Sequence, residues 1–314
     1  MEAINNVVLA VSNFLYQPFI LPVILLVGGL YFTIRTGGVQ IRMFKECLRV
    51  VTEKPKTENG ISSFGALMVS TASRVGTGNI IGVATAVICG GSGAIFWMWL
   101  SAFLGGASAF IESTLAQIYK KKNADGSSYG GPAFYMRDAL NARWLGVIFS
   151  VLIIFTYAIG YNMLAAFNLQ STFQVFSFYG DRTPAIIGVI LAALFGAVVI
   201  GGAHRLVKVT GVLVPVMGII YVAISLIVLV LNIGNIPAMF AGIFKNAFDF
   251  QAIFGGFAGS CIMLGIKRGL YSNEAGMGSA PNAAATADVS HPVKQGLVQM
   301  LSVFIDTMLI CTAT

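Results

Sequence analysis

Long apolar runs separated by short polar breaks dominate the hydropathy pattern of the chain. Most of these runs approach the ~20 residues that an α-helix needs to cross a hydrocarbon core of ~30 Å. The eight runs cover residues 18–34, 61–90, 93–118, 145–174, 184–203, 208–232, 248–266 and 297 onward. Helices satisfy all of their backbone polar groups within the bilayer. The pattern therefore predicts an all-α polytopic membrane protein.

The composition excludes a soluble globular protein. Hydrophobic residues make up 57% of the 314 residues and charged residues only 10%, against roughly 25% charged in ordinary soluble domains. The formal charge is +7, but 16 of the 19 Lys and Arg residues follow odd-numbered apolar runs. By the positive-inside rule these loops are cytoplasmic and the N-terminus lies outside. The charge therefore reflects membrane sidedness, and no nucleic-acid partner is predicted.

The second apolar run contains a short interruption. Gly76 and Gly78 lie two positions apart, and each lowers helix propensity by roughly 1 kcal/mol. Asn79 is a favourable N-cap for a new half-helix that begins at Ile80. Unwound backbone at membrane depth is tolerated where it is buried in protein or lines a cavity. The pattern therefore predicts a discontinuous helix whose unwound segment, 74–79, forms part of a binding site.

The seventh run contains a similar interruption, formed by Gly255, Gly256, Phe257 and Gly259. Because it lies five spans after the first interruption, the second unit starts from the opposite face of the membrane. This is the pattern of an inverted-topology repeat with discontinuous helices at matching positions. The alternative is that these glycines only permit close packing of helices.

The ends of the two half-helices in the second run differ in charge. Carbonyl groups near Ala72 and Val75 form a negative dipole end, which suits a desolvated Na⁺. Free N–H groups near Gly78 and Asn79 form a positive end, which suits a carboxylate. The pattern therefore predicts adjacent sites for a cation and an amino acid, with Na⁺ near Ala72, Val75 and Asn79.

Three ionisable residues lie inside predicted spans, where charge is expensive. Arg74 is interpreted either as half of a buried ion pair or as a gating residue. Glu112 is close to the inner end of its span, where its side chain is expected to snorkel to the membrane surface or to cap a helix end. Asp306 is interpreted as an interhelical hydrogen-bonding residue, with a cation or proton site as the alternative.

The fourth run carries a stripe of polar residues, Asn162, Asn168, Gln170 and Ser171. This stripe is either a packing face or the side wall of a small-molecule pocket. The chain lacks the H-E-x-x-H, G-x-S-x-G and phosphate-loop motifs, and its four cysteines form no C-x-x-C pair. An enzyme is therefore not predicted, and no cofactor is expected beyond a coupling ion.

Several segments resemble the alanine or glycine:cation symporter family. They are Val75-Gly-Thr-Gly-Asn-Ile80, Gly130-Gly-Pro132 and above all Arg268-Gly-Leu-Tyr-Ser-Asn-Glu-Ala-Gly-Met-Gly-Ser-Ala-Pro281. The similarity continues through His291–Gln299 and Phe304–Asp306, so it covers essentially the whole chain.

The resemblance implies a LeuT-type core of five plus five helices after one extra N-terminal span, Na⁺ coupling, and import of alanine or glycine. The positions that match the family's pocket are Thr77, Gly78 and Asn79 at the first turn, Gly255, Gly256, Phe257 and Gly259 at the second, and Gln170 on the third core helix. Thr172 departs from an asparagine that the family shows at the third core helix.

On this basis we expect one transmembrane domain in the cell membrane. The extra span and its loop occupy residues 1–60, the first five-helix repeat 61–232, and the start of the second repeat 248–314. The chain ends inside the last apolar run without a polar flank, which is typical of a truncated sequence. The predicted partners are a small amino acid, Na⁺ and the lipid bilayer. An H⁺-coupled transporter of the same fold is the first alternative, with Glu112 or Asp306 as the relay. An ion channel with a carbonyl-lined filter is the second.

Overall fold

The computed structural model describes residues 2–16, 20–55, 57, 60–124, 126–249 and 257–314, and most of these residues are helical. The first half of the chain forms α1 (Glu2–Tyr16), α2 (Ile20–Arg35), α3 (Val39–Arg42), α4 (Phe44–Val51), α5 (Ser63–Arg74), α6 (Gly78–Gly90), α7 (Ala94–Ile118) and α8 (Pro132–Asp138). The second half forms α9 (Arg143–Val175), α10 (Thr183–Val199), α11 (Gly202–Leu231), α12 (Ile236–Ala247), α13 (Phe257–Asn273), α14 (Ala280–Thr286) and α15 (Pro292–Cys311). A small antiparallel hairpin, β1 (Lys121–Lys122) and β2 (Ser128–Tyr129), precedes α8.

The helical membrane prediction is confirmed. Within the described residues, four helices are long and apolar enough to cross a membrane, and the number rises to six if each of two bent pairs counts as one span. The four are α7, α9, α11 and α15, and the bent pairs are α1 with α2 and α5 with α6. Helix α10 is a shorter apolar helix of 17 residues. The LeuT-type arrangement and the inverted repeat stay predictions.

Among the described helices of more than ten residues, two lie where the hydropathy pattern predicted no span. Helix α1 precedes the first predicted span, and α12 lies between the sixth and seventh. The segment of α1 includes Asn5, Asn6 and Asn13, which interrupt its apolar character. Helix α12 has only 12 residues, too few to cross a bilayer. A search for runs of about 20 apolar residues therefore passes over both.

Helix α7 forms the centre of the packed part of the molecule. Small residues on it are fully buried, and they let α13 and α15 approach closely. A Cβ atom added at Gly265 of α13 would lie 2.4 Å from the carbonyl oxygen of Ala94, and one at Gly296 of α15 would lie 2.6 Å from that of Phe110. Small residues at helix interfaces are the usual basis of close packing in membranes. The three helices therefore pack closely against one another.

Helices α9, α10 and α11 expose most of their apolar side chains. In water such a surface would be unfavourable. In a bilayer it is the expected surface of helices that contact hydrocarbon. These helices flank the central group around α7 and supply one wall of the cavity described below.

A set of polar contacts ties the start of α5 to the loop that precedes α15. Thr57 donates to Asp288 from its backbone N (2.7 Å) and its Oγ1 (2.8 Å). Ile61 forms a parallel bridge with Ala287, and Lys294 Nζ lies 2.5 Å from Glu53 Oε2. These contacts hold the N-terminal end of α5 against α14 and α15. The interruption at the C-terminal end of α5 therefore has a fixed position.

Candidate substrate and cation site

The interruption predicted in the second apolar run is present between α5 and α6. Helix α5 ends at Arg74, Val75 is extended (φ −76°, ψ 107°), and the axis bends by 55° before α6 begins at Gly78. The first turn of α6, Gly78–Gly82, is a π-helix, a form that is rare and frequent at functional sites. The C-terminal end of one half-helix and the N-terminal end of the other therefore meet at Val75–Thr77, with opposite partial charges.

Asn79 closes this turn from inside α6. Its side chain is 1% exposed, and its Oδ1 accepts a hydrogen bond of 2.8 Å from the backbone N of Gly76. We predicted Asn79 as the N-cap of a half-helix that begins at Ile80. Instead the helix begins at Gly78, and the N-cap position is Thr77. The side chain still satisfies an unpaired backbone donor, but it does so by reaching back across the turn.

The other end of the Asn79 amide reaches a buried carboxylate. Nδ2 of Asn79 donates to Asp306 Oδ1 of α15 at 2.7 Å and to Ser272 Oγ of α13 at 3.0 Å. Ser272 Oγ donates to Asp306 Oδ2 at 2.7 Å, and Thr307 Oγ1 donates to the same oxygen at 2.9 Å. Asp306 is fully buried. The interpretation of Asp306 as an interhelical hydrogen-bonding residue is thus confirmed, and three helices meet at one oxygen-rich cluster.

Tyr271 packs directly on the turn. A Cβ atom at Gly78 would lie 2.9 Å from Cε1 of Tyr271, so only glycine fits under the ring in this position. The ring of Tyr161 contacts Tyr271 edge to face at 5.7 Å between centroids, and Tyr157 lies 4.8 Å from Tyr161. These three tyrosines form a continuous aromatic wall beside the turn.

Helix α9 reaches the turn through Asn168. Its Nδ2 donates to Thr77 Oγ1 at 2.8 Å. Gln170, which the resemblance implied as a pocket residue, instead accepts a 2.5 Å hydrogen bond from the hydroxyl of Tyr179. Both residues belong to the polar stripe noted in the sequence, and the structure brings only Asn168 of this pair into contact with the turn.

Another interruption, different from the one predicted at 255–259, lies between α13 and α14 at residues 274–279 and is called the second turn from here on. Glu274, Gly276 and Gly278 have positive φ values of 50°, 80° and 82°, and the last two favour glycine. Glu112 of α7 accepts hydrogen bonds from the backbone N of Gly276 (3.3 Å) and of Gly278 (3.2 Å). A buried carboxylate is thus bound by backbone amides of this turn.

Glu274 connects the two interruptions. It is 2% exposed, and its Oε2 accepts hydrogen bonds from Ser279 Oγ (2.6 Å) and from Ser73 Oγ (3.2 Å). Ser73 is the residue before Arg74 at the end of α5, so one carboxylate contacts the segments that flank both turns. Sequence reasoning missed this second turn, although Gly276, Gly278 and the helix-starting Pro281 are a visible signal.

The interruption that we predicted in the seventh apolar run is described only in part. Gly255 and Gly256 lie outside the described residues. Phe257 and Gly259 belong to the first turn of α13, which continues without a break to Asn273. The roles assigned to these four residues therefore stay predictions.

A cavity of about 800 Å³ lies beside the first turn. Ala72, Val75, Thr77 and Gly78 border it on one side, and Tyr271 borders it on another. Polar groups at its wall include Asn162, Ser272 and Glu274. A second cavity of about 490 Å³ shares Val69, Ser73, Tyr157 and Ala158 with the first and extends to Asn282 and Thr286. The two cavities therefore lie side by side, one at the turn and the other beside α14.

The fold and the cavity define the class of membrane protein to which the chain belongs. A polytopic helical membrane protein whose cavity is bordered by interrupted helices, with half-helix ends of opposite charge, has the architecture of a secondary transporter. The sequence identifies the family. The chain belongs to the sodium:alanine symporter family, whose sequence profile matches residues 1–314, and the resemblance noted above is therefore confirmed.

Relatives in the family are symporters and carriers rather than enzymes. The chain is 46% identical over 316 residues to the probable sodium/glutamine symporter GlnT of Bacillus subtilis, which covers 100% of this chain and 65% of GlnT. It is 47% identical over 311 residues to the amino-acid carrier protein AlsT of the same organism, covering 99% of this chain and 65% of AlsT. It is 41% identical over 319 residues to the sodium/alanine symporter AgcS of Methanococcus maripaludis, covering 98% and 69%. The chain thus spans about two thirds of the length of these relatives.

Proposed function

We propose that the protein is a Na⁺-coupled symporter of the cell membrane that imports a small neutral amino acid, alanine or glycine, by alternating access. Family membership and the names of the relatives support the transport class. The observation that carries the proposal is the interrupted helix α5–α6, whose turn adjoins both a buried polar cluster around Asp306 and a cavity.

The coupling cation is assigned to the cluster around Asp306. Carboxylate, amide and hydroxyl oxygens are hard ligands of the kind that alkali and alkaline-earth cations take. An ionised carboxylate inside a membrane is expensive unless it is paired. Asp306 is fully buried among neutral donors from Asn79, Ser272 and Thr307, and Na⁺ would supply the missing positive charge. The carbonyl end of α5 near Ala72 and Val75 borders the same turn and is the other predicted source of Na⁺ ligands.

The amino acid is assigned to the cavity side of the turn. The N-terminal end of α6, at Thr77 and Gly78, is the positive end of a helix dipole and suits the substrate carboxylate. Asn168 orients Thr77 through a direct hydrogen bond of 2.8 Å. Tyr271 covers Gly78 at contact distance, so a bulky substrate side chain has little room next to the carboxylate position. This arrangement favours alanine or glycine over larger amino acids.

Coupling follows from the proximity of the two sites. The proposed cation site contacts Asn79, and the carboxylate is assigned to Thr77 and Gly78. Both ligands therefore act on the start of α6, and each stabilises the turn that the other needs. We assign the path of release in alternating access to the two neighbouring cavities, which share Ser73 and Tyr157 in their walls. Rocking of one group of helices against another around such a turn is the usual mechanism of this architecture.

Uptake into proteoliposomes that contain the full-length protein tests the proposal. Labelled alanine, glycine and glutamine are offered with an inward Na⁺ gradient or with equimolar K⁺, and glutamine is included because one relative is named for it. We expect accumulation of alanine or glycine only with Na⁺, and its loss when a Na⁺ ionophore collapses the gradient. Absence of uptake from vesicles shown to hold folded protein contradicts the proposal.

The same vesicles distinguish Na⁺ coupling from H⁺ coupling, which the buried carboxylates also suit. One relative, 46% identical over 296 residues, is named a putative sodium/proton-dependent alanine carrier. Uptake that is driven by a pH gradient, is insensitive to Na⁺ and is lost in Asp306→Asn would favour that alternative. Uptake that requires Na⁺ at any pH gradient favours the Na⁺ symporter.

A further inference from the structure

Glu274 is a buried carboxylate in the wall of the cavity that we assign to the amino acid. It is 2% exposed and borders the same cavity of about 800 Å³ as Thr77 and Gly78. None of the ion pairs within 4.0 Å in the described ranges includes Glu274. An ionised carboxylate that is buried without a close cation is costly. A positively charged group of a ligand in the cavity would offset this cost.

Two serine hydroxyl groups hold the Glu274 side chain through one of its oxygens. Oε2 accepts a hydrogen bond of 2.6 Å from Ser279 Oγ and one of 3.2 Å from Ser73 Oγ. Neither bond engages Oε1. A carboxylate has about four acceptor positions on its two oxygens, so the two serines fix the group without using its full capacity. Glu274 can therefore accept a further hydrogen bond from a donor in the cavity.

Charged residues of both signs border this cavity. Among the described residues in its wall they are Arg74 and Glu274. The rings of Tyr157, Tyr161 and Tyr271 border it as well, and aromatic rings attract organic ammonium groups. A wall that combines a guanidinium, a carboxylate and aromatic rings suits a zwitterion better than a simple anion or a simple cation.

Two contacts place the end of α13 alongside the first turn. Tyr271 lies 2.9 Å from the Cβ position of Gly78, and Glu274 accepts the hydrogen bond from Ser73. The backbone N of Glu274 still donates to the carbonyl oxygen of Leu270, so Tyr271 and Glu274 keep helical spacing, at which Cβ atoms are about 5–6 Å apart. The ammonium and carboxylate groups of an α-amino acid are joined through a single carbon atom. Glu274 is thus close enough to the first turn for one such molecule to contact both.

We propose that Glu274 is a substrate-binding residue that accepts a hydrogen bond from the ammonium group of the transported amino acid. The substrate carboxylate lies at the same time at Thr77 and Gly78. This role rests on the proposed function and deepens it, because it assigns the second charged group of the substrate. A charge-assisted hydrogen bond of this kind is stronger than one between neutral groups, and burial leaves it weakly screened.

The role makes Glu274 a determinant of specificity for amino acids. L-lactate keeps the carboxylate and the methyl group of L-alanine but carries a neutral hydroxyl group in place of the ammonium group. In the cavity it would leave the charge of Glu274 without a cation, which is costly, and would add a second negative charge nearby. Glu274 therefore favours alanine over a hydroxy acid of the same shape.

The test measures equilibrium binding of labelled alanine to the purified full-length protein in nanodiscs in NaCl, with unlabelled alanine or lactate as competitor. We expect wild-type protein to prefer alanine by about tenfold or more. Glu274→Gln keeps the size of the side chain but removes its charge. In this variant the affinity for alanine should fall by about tenfold or more, while that for lactate stays within about twofold. The preference for alanine should therefore fall by the same factor.

Glu112→Gln is the matched control. Glu112 is also a buried carboxylate, but it binds the backbone amides of Gly276 and Gly278 and does not border this cavity. Loss of its charge should leave the preference for alanine over lactate within about twofold of wild type, even where the stability of the protein changes.

The outcomes separate the two proposals. No alanine binding by folded wild-type protein overturns the proposed function and, with it, the role of Glu274. A wild type that binds alanine, together with an unchanged preference in Glu274→Gln, overturns the role of Glu274 alone. A purely structural role would weaken alanine and lactate equally and would leave the preference unchanged.

If Glu274→Gln does not fold, Glu274→Asp decides. This variant keeps the charge that Ser73 and Ser279 hold, but it shortens the side chain by one methylene group and so lengthens the contact with the ammonium group. We expect the affinity for alanine to fall by about fivefold or more, with that for lactate within about twofold of wild type. Equal changes for the two ligands contradict the role of Glu274.

Discussion

Substitution of Gly78 tests the contact between the first turn and the aromatic wall. A Cβ atom at this position would lie 2.9 Å from Cε1 and 3.4 Å from Cδ1 of Tyr271. Favourable carbon contacts lie at about 3.5–4.0 Å, so the ring must move by about half an ångström to accept alanine. The backbone at Gly78 is helical, so alanine introduces no conformational strain. Its effect is therefore confined to the contact with the ring.

The expected magnitude follows from the cost of overpacking. Extra methyl groups in a packed site cost about 1–3 kcal/mol, which corresponds to a loss of substrate affinity of roughly 5- to 150-fold. We expect Gly78→Ala at the lower end of this range. Gly78→Val, whose two further methyl groups enter the carboxylate position, should abolish uptake. Because Tyr271 borders the cavity, the displaced ring should raise KM while expression and membrane insertion stay normal.

Gly76 supplies a matched control two positions away. A Cβ atom at Gly76 would have no neighbour within 4 Å, so Gly76→Ala should leave KM within about twofold of wild type. Tyr271→Leu in the Gly78→Ala background removes the ring and should recover part of the lost affinity, as a double-mutant cycle would show. A wild-type KM in Gly78→Ala, or equal losses of affinity in Gly76→Ala and Gly78→Ala, would refute the assigned contact between position 78 and Tyr271.

Three further variants probe the remaining parts of the site. Asn168→Leu removes the hydrogen bond to Thr77, which is worth about 0.5–1.5 kcal/mol, so KM for uptake should rise up to about tenfold; an unchanged KM would exclude Asn168 from the site. Asp306→Asn keeps the size of the side chain but removes its charge, and the Na⁺ concentration that half-saturates uptake should rise at least tenfold; equal Na⁺ affinity would contradict the cation assignment. Burial acts to raise the pKa of Asp288, but two hydrogen bonds from Thr57 leave it below its ordinary value. The stability gained is therefore present above the ordinary pKa of ~3.9 and is lost as the pH falls through the lowered value. Thermal melts should show Asp288→Asn less stable than wild type at pH 7, with the difference shrinking toward pH 3, and a difference that is constant with pH would contradict this reasoning.

The first turn was predictable because its signal is local. Two glycines separated by one residue interrupt an otherwise apolar run, and the cost of glycine within a helix makes a break at Gly76 and Gly78 the expected result. Helix limits were also predicted closely, as for α9, where residues 145–174 were expected and Arg143–Val175 are observed. Such features depend on propensity and hydrophobicity along a short stretch of chain, and both are visible in one sequence.

Partners across helices were predicted less well, because they depend on helix rotation. Asn168 and Gln170 lie two positions apart on α9, so their side chains point about 200° apart around the helix axis. Only packing against neighbouring helices decides which of the two faces Thr77. The same holds for Asn79, whose type suited an N-cap but whose position inside α6 directs its amide to Asp306.

The partners of Glu112 eluded prediction because they are backbone amides rather than side chains. A sequence shows that Glu112 is an expensive carboxylate inside a span, but it does not show that the compensating donors are the amides of Gly276 and Gly278, more than 160 positions away. Once these amides are placed beside Glu112, the charges of the site become interpretable. Glu112, Glu274, Asp306 and Arg74 are all buried, so in their ionised forms these four described side chains carry an excess of negative charge. In a medium of low dielectric constant that excess favours cation binding, which is the physical basis on which the proposed site would bind Na⁺ together with a zwitterion.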